Sequence, residues 1–250
     1  MTLQTLLDEE HRRTYEARER FGAIVPLAQQ GLTILSTSVV SVSADNGIIA
    51  AIMLAIQKSV NLAFFSYIRA HTAQAEFNCR QAIEFTALGA YLLANPDTDF
   101  LDSSDPQNPK LLPNQQLSKK AYKWLEEEER NISELLKSFK YSINNSTAHG
   151  SIYVTNFTIN LESFADNSSM FTGSFFDDLS INDSRAYLMS LCRLIVLIVE
   201  TMRRANERTL GIGMKDALED EIALYANAVD RYRETLGEVM RNDKQRHQAD

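Results

Sequence analysis

The chain has 250 residues, enough to bury a sizeable core within one elaborated domain. Its 9 glycines and 5 prolines are few for that length, which argues for long uninterrupted helices and excludes a many-turned β fold. A formal charge of -8 and a pI near 5.1 exclude a function resting on a broad basic surface, because phosphate-driven binding needs clustered cations.

The opening residues, MTLQTLLDEEHRRTYEARER, lack the apolar centre of a signal peptide, and a cytoplasmic location is expected. Leu3 to Phe21 carries a thin apolar stripe and predicts a surface helix with a break near Gly22. Pro26 suits the first turn of a second helix, from Ile24 to Val42, although its end, TILSTSVVSVSA, is rich in β-branched and hydroxyl residues that disfavour helix. Ala44 to Gly47 predicts a turn.

From Ile48 to Asn95 apolar residues recur at helical spacing, through Ile52, Ile56, Val60, Phe64 and Ile68. One very long helix, or two divided near His71 and Thr72, is expected. Asn95 to Gln116 holds four of the five prolines and predicts a loop long enough to be functional or mobile. Leu117 to Tyr141 returns to helix, with Glu126 and Arg130 as an i,i+4 pair. Then Phe157, Ile159 and Leu161 alternate with polar residues, which predicts an inserted hairpin over about 152–175. Asn182 to Ser184 offer N-caps for an apolar core helix that ends at LGIGM, Leu210 to Met214. A last amphipathic helix follows, over about 215–241. The expectation is a mainly α single domain, 1–250, with its core over about 48–210.

The runs GIIAAIMLAI, before Lys58, and YLMSLCRLIVLIV, carrying Arg193, are short of the roughly 20 apolar residues of a bilayer span. They read as core helices, and no membrane is expected as a partner. Cys79 and Cys192 lie in apolar helical stretches and read as buried free thiols. His11, His71, His149 and His247 are scattered, and LGIGM lacks the lysine of a phosphate-binding loop, so neither a metal nor a cofactor is expected. Two basic clusters, Lys119–Lys120–Lys123 and Arg203–Arg204–Arg208, read as solvated helix faces.

Two features carry chemistry. Glu76, Arg80 and Glu84 form an i, i+4, i+8 stripe on an otherwise apolar helix. It is either an internally satisfied ion pair, whose loss through Arg80→Ala would cost roughly 3–5 kcal/mol if buried, or the polar lining of a cleft. His149 stands before Gly150, either as a helix end or as a group poised to exchange protons near neutrality.

The segment NNSTAH, Asn144 to His149, resembles the motif of the HEPN superfamily, helical-bundle proteins whose active members carry an arginine, four to six residues and then a histidine. RQAIE in an earlier helix, followed by a helix ending in a polar-His-Gly segment, is similar to uncharacterised bacterial HEPN-like proteins; the likeness spans Phe64 to Tyr153. The resemblance implies a helical bundle, a homodimer, association with RNA, a nucleotide or a partner protein, and a place in a bacterial defence or toxin-antitoxin-like system. In active members the arginine and histidine of two subunits cut RNA without metal, the one stabilising charge on the phosphate and the other moving the ribose 2′-hydroxyl proton. Here His149 matches the histidine, but Asn144 stands at the arginine's place and carries no charge. A non-cutting relative is the leading expectation. The alternative is a metal-independent endoribonuclease with His149 as general base or acid, Arg80 stabilising the phosphate, Glu84 orienting Arg80, and Asn144 and Asn145 positioning substrate.

Overall fold

A computed structural model describes residues 2–43, 46–98, 101–102, 110–111, 114–146, 159–163 and 169–247. The mainly α expectation holds. The helices are α1 (Leu3–Tyr15), α2 (Ala17–Phe21), α3 (Ile24–Thr37), α4 (Gly47–Ile68), α5 (Thr72–Ala94), α6 (Asn114–Glu128), α7 (Arg130–Ser146), α8 (Ile181–Glu207) and α9 (Leu218–His247).

The apolar stretches of the sequence become the centre of the bundle. Helix α8 starts where Ser180 caps it, its hydroxyl accepting from Asp183 N–H, and runs through an almost continuous buried face from Leu188 to Ala205. Against it pack α3, α4, α5, α7 and α9, while α6 lies on α5. Helices α4 and α5 form the most extensive pair and are joined by only Arg69 to His71, so the expected division near His71 is present. Ala70 takes a left-handed backbone there, with φ 64°.

Helix α4 runs through Lys58 to Ile68, as its helical spacing predicted. Among the described residues it is the one helix long and apolar enough to cross a membrane; ten of its residues are buried in the core.

Several boundaries differ from the sequence reading. The first helix is interrupted at Glu16, and the second stops at Thr37. Its β-branched continuation becomes strand β1 (Val39–Val42), which pairs antiparallel with a strand drawn from the LGIGM segment, Ile212–Met214, in place of a simple helix end. Between Leu117 and Tyr141 the helix is broken at Glu129, whose carboxylate is held by Arg204 and Arg208 at 3.4 and 3.2 Å. That break undoes the expected Glu126–Arg130 pair: Glu126 bonds Lys137 at 2.8 Å, and Arg130 bonds Glu134 at 3.2 Å. The core extends beyond residues 48–210, to Phe21, Ile24 and Leu35 at one end and Ile222, Tyr225 and Val229 at the other.

The proline-rich loop carries a short antiparallel pair, β2 (Leu101–Asp102) with β3 (Lys110–Leu111). The expected hairpin is present as β4 (Ile159–Ser163) and β5 (Ser169–Gly173), in register from Ile159 opposite Gly173 to Ser163 opposite Ser169. The third pair is β1 with β6 (Ile212–Met214). Ala44 and Asp45 of the expected turn lie outside the described residues.

Candidate functional site

Helix α5 carries the polar stripe, and the structure divides it. Each i,i+4 step advances about 40° around a helix of 3.6 residues per turn, so Glu84 lies about 80° around α5 from Glu76. Glu76 therefore faces the interior, 6% exposed, where its Oε1 accepts a hydrogen bond from the Tyr67 hydroxyl. Burial raises its pKa above the ordinary 4.5 despite that bond. Arg80 and Glu84 instead line an outer cleft between α5 and α6, of about 650 Å³, with Phe77, Leu88, Ser118 and Lys119.

The expected Arg80–Glu84 ion pair is absent. The Glu84 carboxylate is held by the Lys140 ammonium of α7 and accepts from Ser118 Oγ at 3.3 Å. Lys140 in turn lies over the Tyr122 ring, 4.6 Å from its centroid. Burial, then the Glu84 charge, pushes the Tyr122 phenol up, so it stays neutral across the physiological range. With Glu84 neutralised by Lys140, Arg80 and Lys119 are left without an ion-pair partner among the described residues. Phe77, 48% exposed, sits one turn before Arg80 at the same cleft. Two uncompensated cations beside an exposed ring can hold a phosphate and stack a base at once.

The other predicted residues are not gathered there. Asn145 is exposed near the end of α7; Asn144 is half-buried, its Oδ1 enclosed with no hydrogen-bond partner among the described residues. His149 lies outside the described residues, so its pairing with Arg80 has no geometry here. His71, at the α4–α5 link, bonds Glu10 (Nε2 to Oε1, 2.5 Å) and packs against the rings of both Phe175 and Phe176. The Arg203–Arg204–Arg208 cluster is occupied by glutamates: Glu200 and Glu207 on α8, Glu128 and Glu129 across the α6–α7 junction. Of the other cluster, Lys123 pairs with Glu127 at 3.6 Å, which leaves Lys119 to the cleft.

Both cysteines are buried and unbridged. Burial holds the Cys79 thiol far above its ordinary value and pushes Cys192 up to about 12, so neither is a thiolate nucleophile near neutrality. Among the described residues no three His, Cys, Asp or Glu side chains are placed to hold a metal ion.

Sequence reasoning found Arg80 and Glu84 but missed Phe77, Lys119 and Lys140 as members of this site. Phe77 had a legible signal, its i,i+3 spacing to Arg80. Lys140 had none, being brought to Glu84 only by the packing of α7 on α5. No family model, curated protein or solved structure matches the chain.

Proposed function

We propose that the chain is a HEPN-like helical module that holds single-stranded RNA in the α5–α6 cleft without cutting it. The observation that carries this reading is the uncompensated Arg80 beside the exposed Phe77, with Lys119 on the facing helix. Cation and aromatic ring together are what single-strand recognition uses: the charge tracks the phosphate, and the ring stacks a base of any identity. An acidic chain needs such a local cation pair, because its overall charge repels the polymer. The neutral Asn144 supports binding over cleavage, since the cation expected at that position of a cutting relative is missing. A cytoplasmic homodimer in a bacterial defence or toxin-antitoxin-like setting is part of the same reading. The outer face of α4 supports the dimer, for Leu54, Leu62 and Phe65 expose apolar surface at helical spacing.

Fluorescence anisotropy of a labelled RNA oligomer tests the cleft. Phe77→Ala should weaken binding by the equivalent of about 1–3 kcal/mol, and Arg80→Ala with Lys119→Ala should weaken it further and flatten its salt dependence. Arg80→Ala should melt close to the wild type, because Glu84 keeps Lys140. RNA recovered after incubation in EDTA should be intact, and light scattering of the same samples should give a dimer. Binding unchanged in the triple variant, or absent in the wild type at low salt, removes the cleft from consideration. Cleavage lost on His149→Ala would establish the endoribonuclease alternative instead.

A further inference from the structure

A second cavity, of about 300 Å³, lies between α5, α7 and α8 and shares no lining residue with the cleft. Among the described residues its lining holds two charged side chains, Glu76 and Arg193. Glu76 marks one end. Its Oε1 takes the Tyr67 hydroxyl, no other side-chain bond reaches its carboxyl among the described residues, and Tyr67 stacks on Tyr187 with ring centroids 5.6 Å apart. Arg193 marks the other end, half-buried, with its guanidinium 5.9 Å from the centre of the Phe139 ring and no ion pair among the described residues. Tyr187 and Arg193 both belong to α8, and six residues of helix separate them by about 9 Å along the axis. The hydroxyls of Ser138 and Ser190, each able to donate and accept, line the space between.

This is a two-poled chamber. A carboxyl and a guanidinium share one cavity, and among the described residues neither is paired with an opposite charge: burial keeps the carboxyl protonated until a cation reaches it, and the half-buried guanidinium lacks a counter-ion. We propose that the cavity binds a small zwitterion, with its ammonium on Glu76 beside the stacked tyrosines and its carboxylate on Arg193. Tyr67 and Tyr187 line the cavity with Glu76, and aromatic surface of this kind attracts organic cations, which strengthens the assignment of the ammonium to that end. A simple amine would leave Arg193 without a counter-charge, and a simple acid would bring no cation to Glu76; a molecule with both charges, spaced by a short chain, serves the two ends together, the Glu76 carboxyl releasing its proton to water as the ammonium arrives. The volume stands at the small end of ligand pockets and limits the guest to on the order of a dozen non-hydrogen atoms. The inference stands apart from the cleft and does not depend on RNA binding there.

The test uses the full chain and a series of ω-amino acids, 4-aminobutyrate and 6-aminohexanoate, set against n-butylamine and butyrate. Thermal shift and calorimetry should show saturable stabilisation by at least one zwitterion, with the single-charge compounds weaker by about tenfold or more. Glu76→Gln and Arg193→Gln should each cut the affinity by about tenfold or more, since each removes a charged contact. Ser190→Leu should abolish binding by filling the chamber without altering either charge, and its melting and circular dichroism report whether the fold is kept. If Glu76→Gln fails to fold, Arg193→Gln and Ser190→Leu decide. The proposal is overturned if no zwitterion binds up to about 10 mM, if n-butylamine binds as well as 4-aminobutyrate, or if Ser190→Leu binds like the wild type. RNA binding measured on Ser190→Leu should be unchanged, which separates failure of this chamber from failure of the cleft.

Discussion

Glu76 is a carboxyl in the core of a helical protein, bonded to a phenol and raised by burial above its ordinary 4.5. In the folded state it keeps a proton that the unfolded chain releases over the same pH range. Its effect on stability therefore runs opposite to that of a salt-bridged acid: it is most favourable below the ordinary carboxylate range and is lost as pH rises from there toward the raised value. Glu76→Gln has no proton to lose, so the variant should gain on the wild type as pH rises above the ordinary 4.5. Melting curves at several pH values read this directly, and parallel curves for the two proteins would contradict a raised Glu76. Glu9 does not confuse the comparison. Its hydrogen bond to Arg12, more than the one to Arg13, holds it at about 2, so its contribution falls away only in acid, below the window of interest.

Helix crossings are where side-chain size decides the fold. In α3, Gly31 faces the buried Tyr225 of α9; a Cβ placed there would stand 2.2 Å from the tyrosine oxygen and 2.6 Å from Cζ. A ring enclosed on all sides cannot retreat by that much, so Gly31→Ala should cost about 1–3 kcal/mol by overpacking. Urea denaturation measures the loss, and adding Tyr225→Phe should recover part of it; a Gly31→Ala protein as stable as the wild type would mean that α3 and α9 are not in contact here. Helix ends are decided at the same scale. Asp177, following β5, accepts from Thr72 N–H and donates its own N–H to the Ala70 carbonyl at 2.8 Å, so α5 is capped from a distant segment. Asn206 closes the end of α8 by bonding both the N–H and the carbonyl of Ile212 at 3.0 Å, which joins that helix to β6.

Across the whole molecule, α8 is the common wall of the bundle, and the peripheral elements differ in how much they contribute to it. Helix α1 buries no residue, and its ties are polar: Glu10 to His71 and to Arg69, and Arg13 over the Phe176 ring. Helix α9 buries Leu218, Ile222, Tyr225 and Val229 in the apolar core. Removal of residues 2–16 should therefore lower the melting temperature by only a few degrees, as expected for about 1–2 kcal/mol in a chain of this size. Removal of α9 from Leu218 onward should leave a chain without cooperative unfolding, because the apolar face of α8 would be opened to water. Circular dichroism melts of the two truncations check both outcomes. A cooperative, native-like melt without α9 would show that the core closes without it.

Much of the architecture was legible in the sequence because the signals are local. Helical periodicity, scarce glycine, the proline-rich loop and the strand alternation predicted a mainly α domain with a hairpin, and an apolar run from Tyr187 to Met202 predicted a core helix. Boundaries were less legible where neighbours decide them: Val39 to Val42 is a strand because Ile212–Met214 offers it a partner, and no local pattern announces a pairing so distant in the chain. The candidate site divides in the same way. That Glu76, Arg80 and Glu84 share a helix follows from their spacing alone. Which of them is buried, which is neutralised and which stays available was decided by tertiary packing, because the 40° drift per step turns one end of the stripe inward and brings the other to Lys140. A sequence determines the order of charges along a helix face; their partners depend on which other face is laid against it.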